Sequence, residues 1–432
     1  MENTDQLPAP SPIDATERTA LLDVIRGFAL GGVFLSNVYM WMSGAALQPG
    51  EGAPGAESST LQKVIDGIFG IFIGGRFMTM FTFLFGLGLA VQFSRAAERN
   101  DSATKRYVRR CFALVFLGVL HLTFLWYGDI THQYALIGLA VLLFQKRSTK
   151  TLVLCGLVLT LVAVPLGIWY VFLLPKLTLS PEAAQAAMTA FSTKDDEFNR
   201  QAIAVFRGSS YFALVRMNLA VYWHHFVNPI MGAYNFATFG NFLLGLAVGR
   251  LGWFQDVSAH RKAFKRMLGY GLLTTVLSIG IVVAARLILG GAPAMRDNIV
   301  MNVMMPIIRN VTTLAMALVY MSAITLLYQR NFFRRLFSIY APVGRMAVTN
   351  YFTQSAIALF VFCGIGLGHL GETLLRWTIA MPIVMFTLQM VFSWFWLRHF
   401  RFGPVEWISR SLTYGKMQPM RYQKPVPSEV SS

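Results

Sequence analysis

The sequence predicts an all-α integral membrane protein of about ten transmembrane helices with both termini cytoplasmic. Three observations carry that expectation. Of 432 residues, 55% are hydrophobic and only 13% charged, where soluble domains carry about 25% charge, so the polar side chains cannot clothe a soluble globule of this size. Apolar runs of about 18 residues or more recur along the chain, long enough to cross the hydrocarbon layer. Most of the 37 lysines and arginines fall in alternate loops, the bias that keeps cationic loops inside. A soluble enzyme and a disulfide scaffold are both excluded. Cys111, Cys155 and Cys363 sit in apolar stretches as small hydrophobes. The net charge of +17 suits anionic headgroups and loop topology rather than nucleic acid.

The predicted spans lie near 21–42, 77–94, 108–126, 129–145, 151–173, 233–250, 266–289, 299–327, 346–368 and 377–397. Residues 1–19 form a polar tail with Pro8, Pro10 and Pro12. The first apolar run contains Asp23 and Arg26, so it reads as a retained helix rather than a secretory signal. Residues 61–75, broken by Gly and Asp, are either a lead-in to the second span or an interfacial segment. Residues 20–173 form the first transmembrane half. Residues 174–232, between spans five and six, predict short amphipathic helices on the outer surface. Residues 233–415 form a second transmembrane half, and the polar tail 416–432 predicts disorder.

Charged and polar residues inside spans are costly, about 2.5–3.5 kcal/mol at a helix centre, and so mark function or deliberate pairing. Asp23 and Arg26 can pair three apart on one helix. Asn37 follows Arg26 by eleven residues, returning to nearly the same face about 16 Å along. Arg110 and His121 repeat that spacing. A short connection then brings in Asp129, which can cap the next helix or hold His121, with His132 one turn on. A buried imidazole beside a carboxylate is the usual build of a general base; a core histidine bonded to a neighbouring helix is the plainer reading. Arg309 has no acid in its own helix, which suits an anionic ligand or a backbone-bonded structural role. Asn350 and Gln354 share a helix face and can bond across helices. His224 and His225 are adjacent and point about 100° apart, so they fit an interfacial aromatic belt better than a metal site. No metal motif, P-loop or nucleotide fingerprint is present. Gly86 and Gly88 in GLGLA read as helix-packing glycines.

Five blocks in order, LLDVIRGFALGGVFLSN (21–37), RFMTMFTFLFGLGLAVQ (76–92), HLTFLWYGDITHQYALIGL (121–139), GRMAVTNYFTQS (344–355) and FRFGPVEWISRSLTYG (400–415), resemble the bacterial YeiB family. The N-terminal half of that family is similar to heparan-α-glucosaminide N-acetyltransferase and related transmembrane acyltransferases, through the Leu22-Asp23 to Arg26-Gly27 opening. The resemblance implies an inner-membrane acyltransferase that takes an acyl group, acetyl first among them, from cytosolic acyl-CoA and passes it to a hydroxyl or amine acceptor outside. The glucosaminide enzymes carry their histidine soon after the first helix, whereas 43–75 here holds none, so the role falls to His121 with Asp129 behind it.

On that reading Arg26, Arg110 and Arg106 draw in the CoA phosphates, and Asn37 or Arg76 steadies the thioester oxygen. Asp23, His132, Arg309, Asn350 and Gln354 line the substrate path. The expected partners are membrane lipids, acyl-CoA and an extracytoplasmic acceptor, with no nucleic acid and no metal. A homodimer is compatible with the sequence. The alternative is a small-solute transporter that uses His121 and Asp129 for proton coupling.

Overall fold

A computed structural model describes residues 15–48, 60–97, 103–291, 295, 298–372 and 374–421. Among them there is no sheet, only an isolated antiparallel bridge between Phe400 and Arg421. The fold is helical and built to cross a bilayer. The first helix, α1 (Ala15–Asn37), ends in a π-turn, Val38–Met42. Seven segments are long and apolar enough to span: Ala20–Leu47, Thr60–Phe93, Thr104–Phe124, Thr149–Thr178, Arg261–Ile288, Ile299–Tyr328 and Arg376–His399. The remaining expected spans correspond to two shorter apolar helices, Thr131–Phe144 and Ala347–Phe362, and to Pro229–Arg250, whose Asn and Gly content dilutes its hydropathy.

The stretch that the sequence left between two readings is a separate helix, α2 (Thr60–Phe72). Its exposed Leu61, Val64, Ile68 and Phe72 form one apolar stripe at helical spacing. Its other side is held by Asp66, which accepts from the Tyr39 hydroxyl, and by Gln62, whose amide donates to that hydroxyl at 2.9 Å. A turn at Ile73–Gly75, with Gly75 at φ +80, leads into α3 (Arg76–Ala97). Then follow α4 (Ala103–Phe124), α5 (Thr131–Val141) and α6 (Thr149–Ile168).

The segment after α6 corrects one expectation. PEAAQAAMTAF and KDDEFNRQAIAVF are not two short helices but one, α7 (Pro181–Arg207), capped by the Ser180 hydroxyl, which accepts from Ala183 N at 3.3 Å. No glycine or proline interrupts 182–207, and the KDD run simply forms its solvated face. The apolar α8 (Tyr211–Val227) returns from it, and α9 (Pro229–Arg250) packs into the core. The chain continues through α10 (Arg261–Ile288) and α11 (Ile299–Tyr328), then short helices that include Ala341–Arg345. It finishes with α12 (Ala347–Phe362), α13 (Met381–His399) and the amphipathic α14 (Pro404–Tyr414).

Small residues let the central helices touch backbone to backbone. A Cβ on Gly27 of α1 would lie 2.1 Å from the carbonyl oxygen of Tyr340, and one on Gly344 would lie 1.9 Å from that of Asp23. The first helix and the start of the C-terminal block are therefore interlocked at Arg26-Gly27 and Gly344-Arg345. Gly86 meets α9 in the same way, whereas a Cβ on Gly88 would meet nothing within 4 Å.

Two predictions follow from this packing. Gly344→Ala forces a methyl onto a backbone carbonyl and should lower stability by about 2 kcal/mol or more. Gly280→Ala, in an open helical position, should be neutral or stabilise by about 0.5–1 kcal/mol. Thermal midpoints in detergent compare the two, and equal effects would refute the interlock. In the segment between α6 and α9, burial and the neighbouring His224 push the His225 imidazole down to about 4. His225 packs against the Trp41 and Tyr127 rings, while His224 Nε2 lies 2.6 Å from Asp195 Oδ1. Because the folded value lies below the unfolded one, protonation favours the unfolded chain, and stability drains as pH falls from about 6.5 towards 4. His225→Phe should flatten that decline, measured as thermal midpoint against pH.

Candidate functional site

A cavity of about 750 Å³ opens among α1, α3, α4, α5, α12 and α14. One end is polar. It is lined by Asp23 and Arg26 of α1, Gln92 of α3, Arg110 of α4, Gln255, Arg345, and Arg401, Glu406 and Arg410 at or within α14. Five guanidinium groups thus face two carboxylates, and both carboxylates are engaged locally. Asp23 Oδ1 accepts from Arg26 at 2.7 Å. Glu406 caps α12: Oε1 accepts from Val348 N at 2.7 Å and Thr349 N at 3.1 Å, and Oε2 accepts from Thr349 Oγ1 at 2.5 Å. Net positive charge is left at the mouth. The walls beyond it are apolar, with Leu30, Val33, Phe81, Leu84, Phe85 and Leu114, and Gly88 leaves room. The far end is closed by Ile130, Thr131, Tyr134 and Tyr351.

Behind that closed end sits a buried histidine–aspartate–histidine cluster. Asp129 has no exposed side-chain surface, nor has His121. His132 Nδ1 donates to Asp129 Oδ1 at 2.7 Å, and the same oxygen accepts from the His132 backbone N–H at 2.9 Å. Asp129 therefore caps α5 and grips its first histidine at once. Its other oxygen, Oδ2, lies 2.9 Å from His121 Nδ1, within pairing distance but not aligned as a hydrogen bond. His121 Nε2 is buried and has no partner. With Nδ1 turned to the carboxylate, that nitrogen has the geometry of an available acceptor. On the far side His132 Nε2 lies 3.0 Å from the Tyr222 hydroxyl, which extends the polar chain to α8.

The hairpin itself builds this geometry. Gly118 of α4 leaves space that a Cβ would contest with Asp129 Oδ1 at 2.7 Å and His132 N at 2.3 Å, so α4 and α5 close on one another. From α12, Tyr351 stacks on the His121 ring with centroids 4.9 Å apart, and Phe352 lies 4.5 Å away. The Tyr351 hydroxyl donates to Gly128 O and accepts from Ile130 N, each at 3.2 Å. One side of Tyr351 faces the cavity and the other holds the imidazole. Arg110 at the mouth and His121 are eleven residues apart on α4, about 16 Å along its axis.

The expected residues sort into separate places. His121, Asp129 and His132 come together, and Asp23, Arg26 and Arg110 line the cavity. Arg106 lies over the Tyr414 ring, 5.9 Å from its centroid, and is not in the lining. Asn37 is buried in α1 away from the lining. Asn350 and Gln354 form a ladder to α13: Asn350 Nδ2 donates to Ser393 Oγ at 3.0 Å and Gln354 Nε2 to Gln389 Oε1 at 2.9 Å. That is the cross-helix bonding their spacing suggested. Arg76 and Arg309 stand near one another, outside the cavity lining. Sequence reasoning missed Arg345, Arg410, Tyr351 and Tyr222. Tyr351 is next to the Asn350–Gln354 stripe but about 100° round the helix, and only the packed fold turns it to His121. Among the described residues no group of His, Cys, Asp and Glu could hold a metal.

The model of a protein family of unknown function, DUF418, matches residues 248–416. Over 95% of its length the chain is 30% identical to the uncharacterized protein YxaH of Bacillus subtilis (strain 168), covering 97% of that protein. It is 29% identical to the uncharacterized protein YeiB of Escherichia coli (strain K12), over 92% of this chain and 96% of that one. No solved structure matches it. With full-length relatives on both sides and the C-terminal block matched directly, this chain belongs to the YeiB-like DUF418 family of multi-pass membrane proteins.

Proposed function

We propose that this protein is a transmembrane acyltransferase of the bacterial inner membrane, moving an acyl group from cytosolic acyl-CoA to a hydroxyl or amine acceptor arriving from outside. One observation carries the reading: a cavity with a cationic mouth and apolar walls ends one aromatic ring away from a buried imidazole with a free nitrogen. A donor with phosphates at one end and a thioester at the other matches that polarity. Arg26, Arg110, Arg345, Arg401 and Arg410 would hold the phosphates by charge-assisted bonds. The apolar wall would take the pantetheine arm, and the roughly 16 Å between Arg110 and His121 suits its reach.

The chemistry then runs as follows. His121 Nε2 takes the proton of the acceptor hydroxyl or amine as that oxygen or nitrogen attacks the thioester carbonyl. The tetrahedral oxyanion collapses, the carbon–sulfur bond breaks, and CoA leaves as thiolate to be protonated. Asp129 stabilises the imidazolium formed, and His132 holds Asp129 in place. Tyr351 must yield for the thioester to meet Nε2. The polar chain His121–Asp129–His132–Tyr222 is also what a proton-coupled carrier needs, which makes a solute transporter the second reading.

Acetyl-CoA should bind the protein in nanodiscs saturably and more weakly at raised salt. His121→Ala should keep that binding and lose CoA release by about 10²-fold or more. Pairing pH-driven flux with absence of CoA binding would select the carrier instead. A second variant tests the cavity itself. Gly88→Leu projects into the lumen where no atom stands within 4 Å, so it should fold normally and bind acetyl-CoA at least about tenfold more weakly. Unchanged affinity would place the donor elsewhere.

A further inference from the structure

Arg76 and Arg309 lie outside the cavity lining, and among the described residues neither has an acidic partner. Arg76 opens α3 and is 5% exposed. It donates through Nη1 to the Gly74 carbonyl, while Nε is buried with no partner. The charge acting on it is a second cation, Arg309 of α11. The two are brought together where the Gly74-Gly75 turn meets α11: a Cβ on Gly75 would lie 3.4 Å from Thr313 Cγ2, one helical turn from Arg309. Asn310 fixes the rotation of α11 there by donating to Thr160 O at 3.2 Å. The hydroxyl of Tyr320, which lies near Arg76, is committed to Phe72 O at 2.8 Å.

Both arginines lie in segments apolar and long enough to span the bilayer, where water screens least. Among the described residues no acid pairs with either. Two like charges held together in such a place, one with an unsatisfied donor, call for an anion. Arg309 is exposed on the flank of its helix, so the approach is lateral. α2, whose Phe72 O accepts from Tyr320 of α11, leaves its apolar stripe of Leu61, Val64, Ile68 and Phe72 exposed.

We infer that Arg76 and Arg309 form a phosphate-binding site on the flank of the helix bundle, filled by the phosphodiester of an anionic membrane phospholipid, whose headgroup brings no cation of its own. A guanidinium pair matches phosphate oxygens by forked bonds. The shared chemistry is the phosphate oxyanion, and inorganic phosphate is the other source of it.

The test uses the full-length protein in two settings. One compares nanodiscs of phosphatidylcholine with nanodiscs that also contain phosphatidylglycerol. The other adds inorganic phosphate to protein in neutral detergent. Thermal midpoint and lipid retained in native mass spectrometry are read in both. The parent should gain stability and keep bound phosphatidylglycerol, with no response to inorganic phosphate. Arg309→Gln should retain that lipid at least about tenfold less well. Arg286→Gln, an equal charge change at another exposed position, should behave as the parent. Arg309→Lys keeps the charge without the fork and should weaken retention to an intermediate degree, which covers a misfolded glutamine variant. A response to inorganic phosphate that Arg309→Gln abolishes keeps the anion site and changes its source. Parent and Arg309→Gln responding alike in both settings, or no response from the parent in either, would overturn the site.

Discussion

The contact between Gly27 and Gly344 is the constraint on which the cavity depends. With no Cβ on either residue, the backbone of the first helix lies against the segment that opens the C-terminal block. Lipid tails are as apolar as the helices, so association rests on close packing and cross-helix hydrogen bonds, and such close approach is one way a membrane bundle gains its energy. Here it also sets position. Arg26 precedes one glycine and Arg345 follows the other, so the interlock presents both guanidinium groups to one space. Glu406 then pins α14 onto the start of α12 through three bonds, bringing Arg401 and Arg410 to the same mouth. A side chain at either glycine would separate these groups long before it disturbed any of them directly.

Charge is handled differently at the two ends of the cavity. At the mouth, where water reaches, five cations are tolerated beside two locally engaged acids. At the closed end, a single carboxylate is shared by two imidazoles and a backbone N–H. Burying a lone carboxylate in a bilayer is costly; dividing it between two histidines from one hairpin supplies donors without importing a full positive charge. The same arrangement leaves Nε2 of His121 as the unspent valence of the cluster.

The periodicity of apolar residues was sufficient to place the spans, because in lipid every backbone group must be satisfied within the helix and composition follows length. The site was half legible. His121, Asp129 and His132 are joined by a short hairpin, so local geometry alone brings them together. Asn37, Arg76 and Arg309 show the limit of that reasoning. Each was polar in an apolar run, yet which neighbour a helix face meets is set by packing angles that no single helix encodes. Tyr351 was invisible for the converse reason, since a tyrosine in an apolar helix carries no signal of its own. The segment expected to form short amphipathic helices holds one long helix, α7, because no glycine or proline divides it.

The division of labour along the chain explains why neither half reads as a site by itself. The block matched by the family model, 248–416, supplies Arg345, Arg401, Arg410, Glu406 and the Tyr351 partition, but no part of the histidine cluster. Helices α1 to α5 supply the cluster, the apolar wall and two of the mouth arginines. A ligand that touches both ends of the cavity must therefore bridge the two halves, and its binding energy would be spent partly on holding them at a fixed distance. Tyr351 is placed to feel that distance: its ring rests on His121 of α4 while its hydroxyl holds Gly128 and Ile130 at the turn. Tyr351 and Phe352 together join α12 to the imidazole of α4. The mouth and the histidine cluster are thus linked by packing rather than by a shared charge.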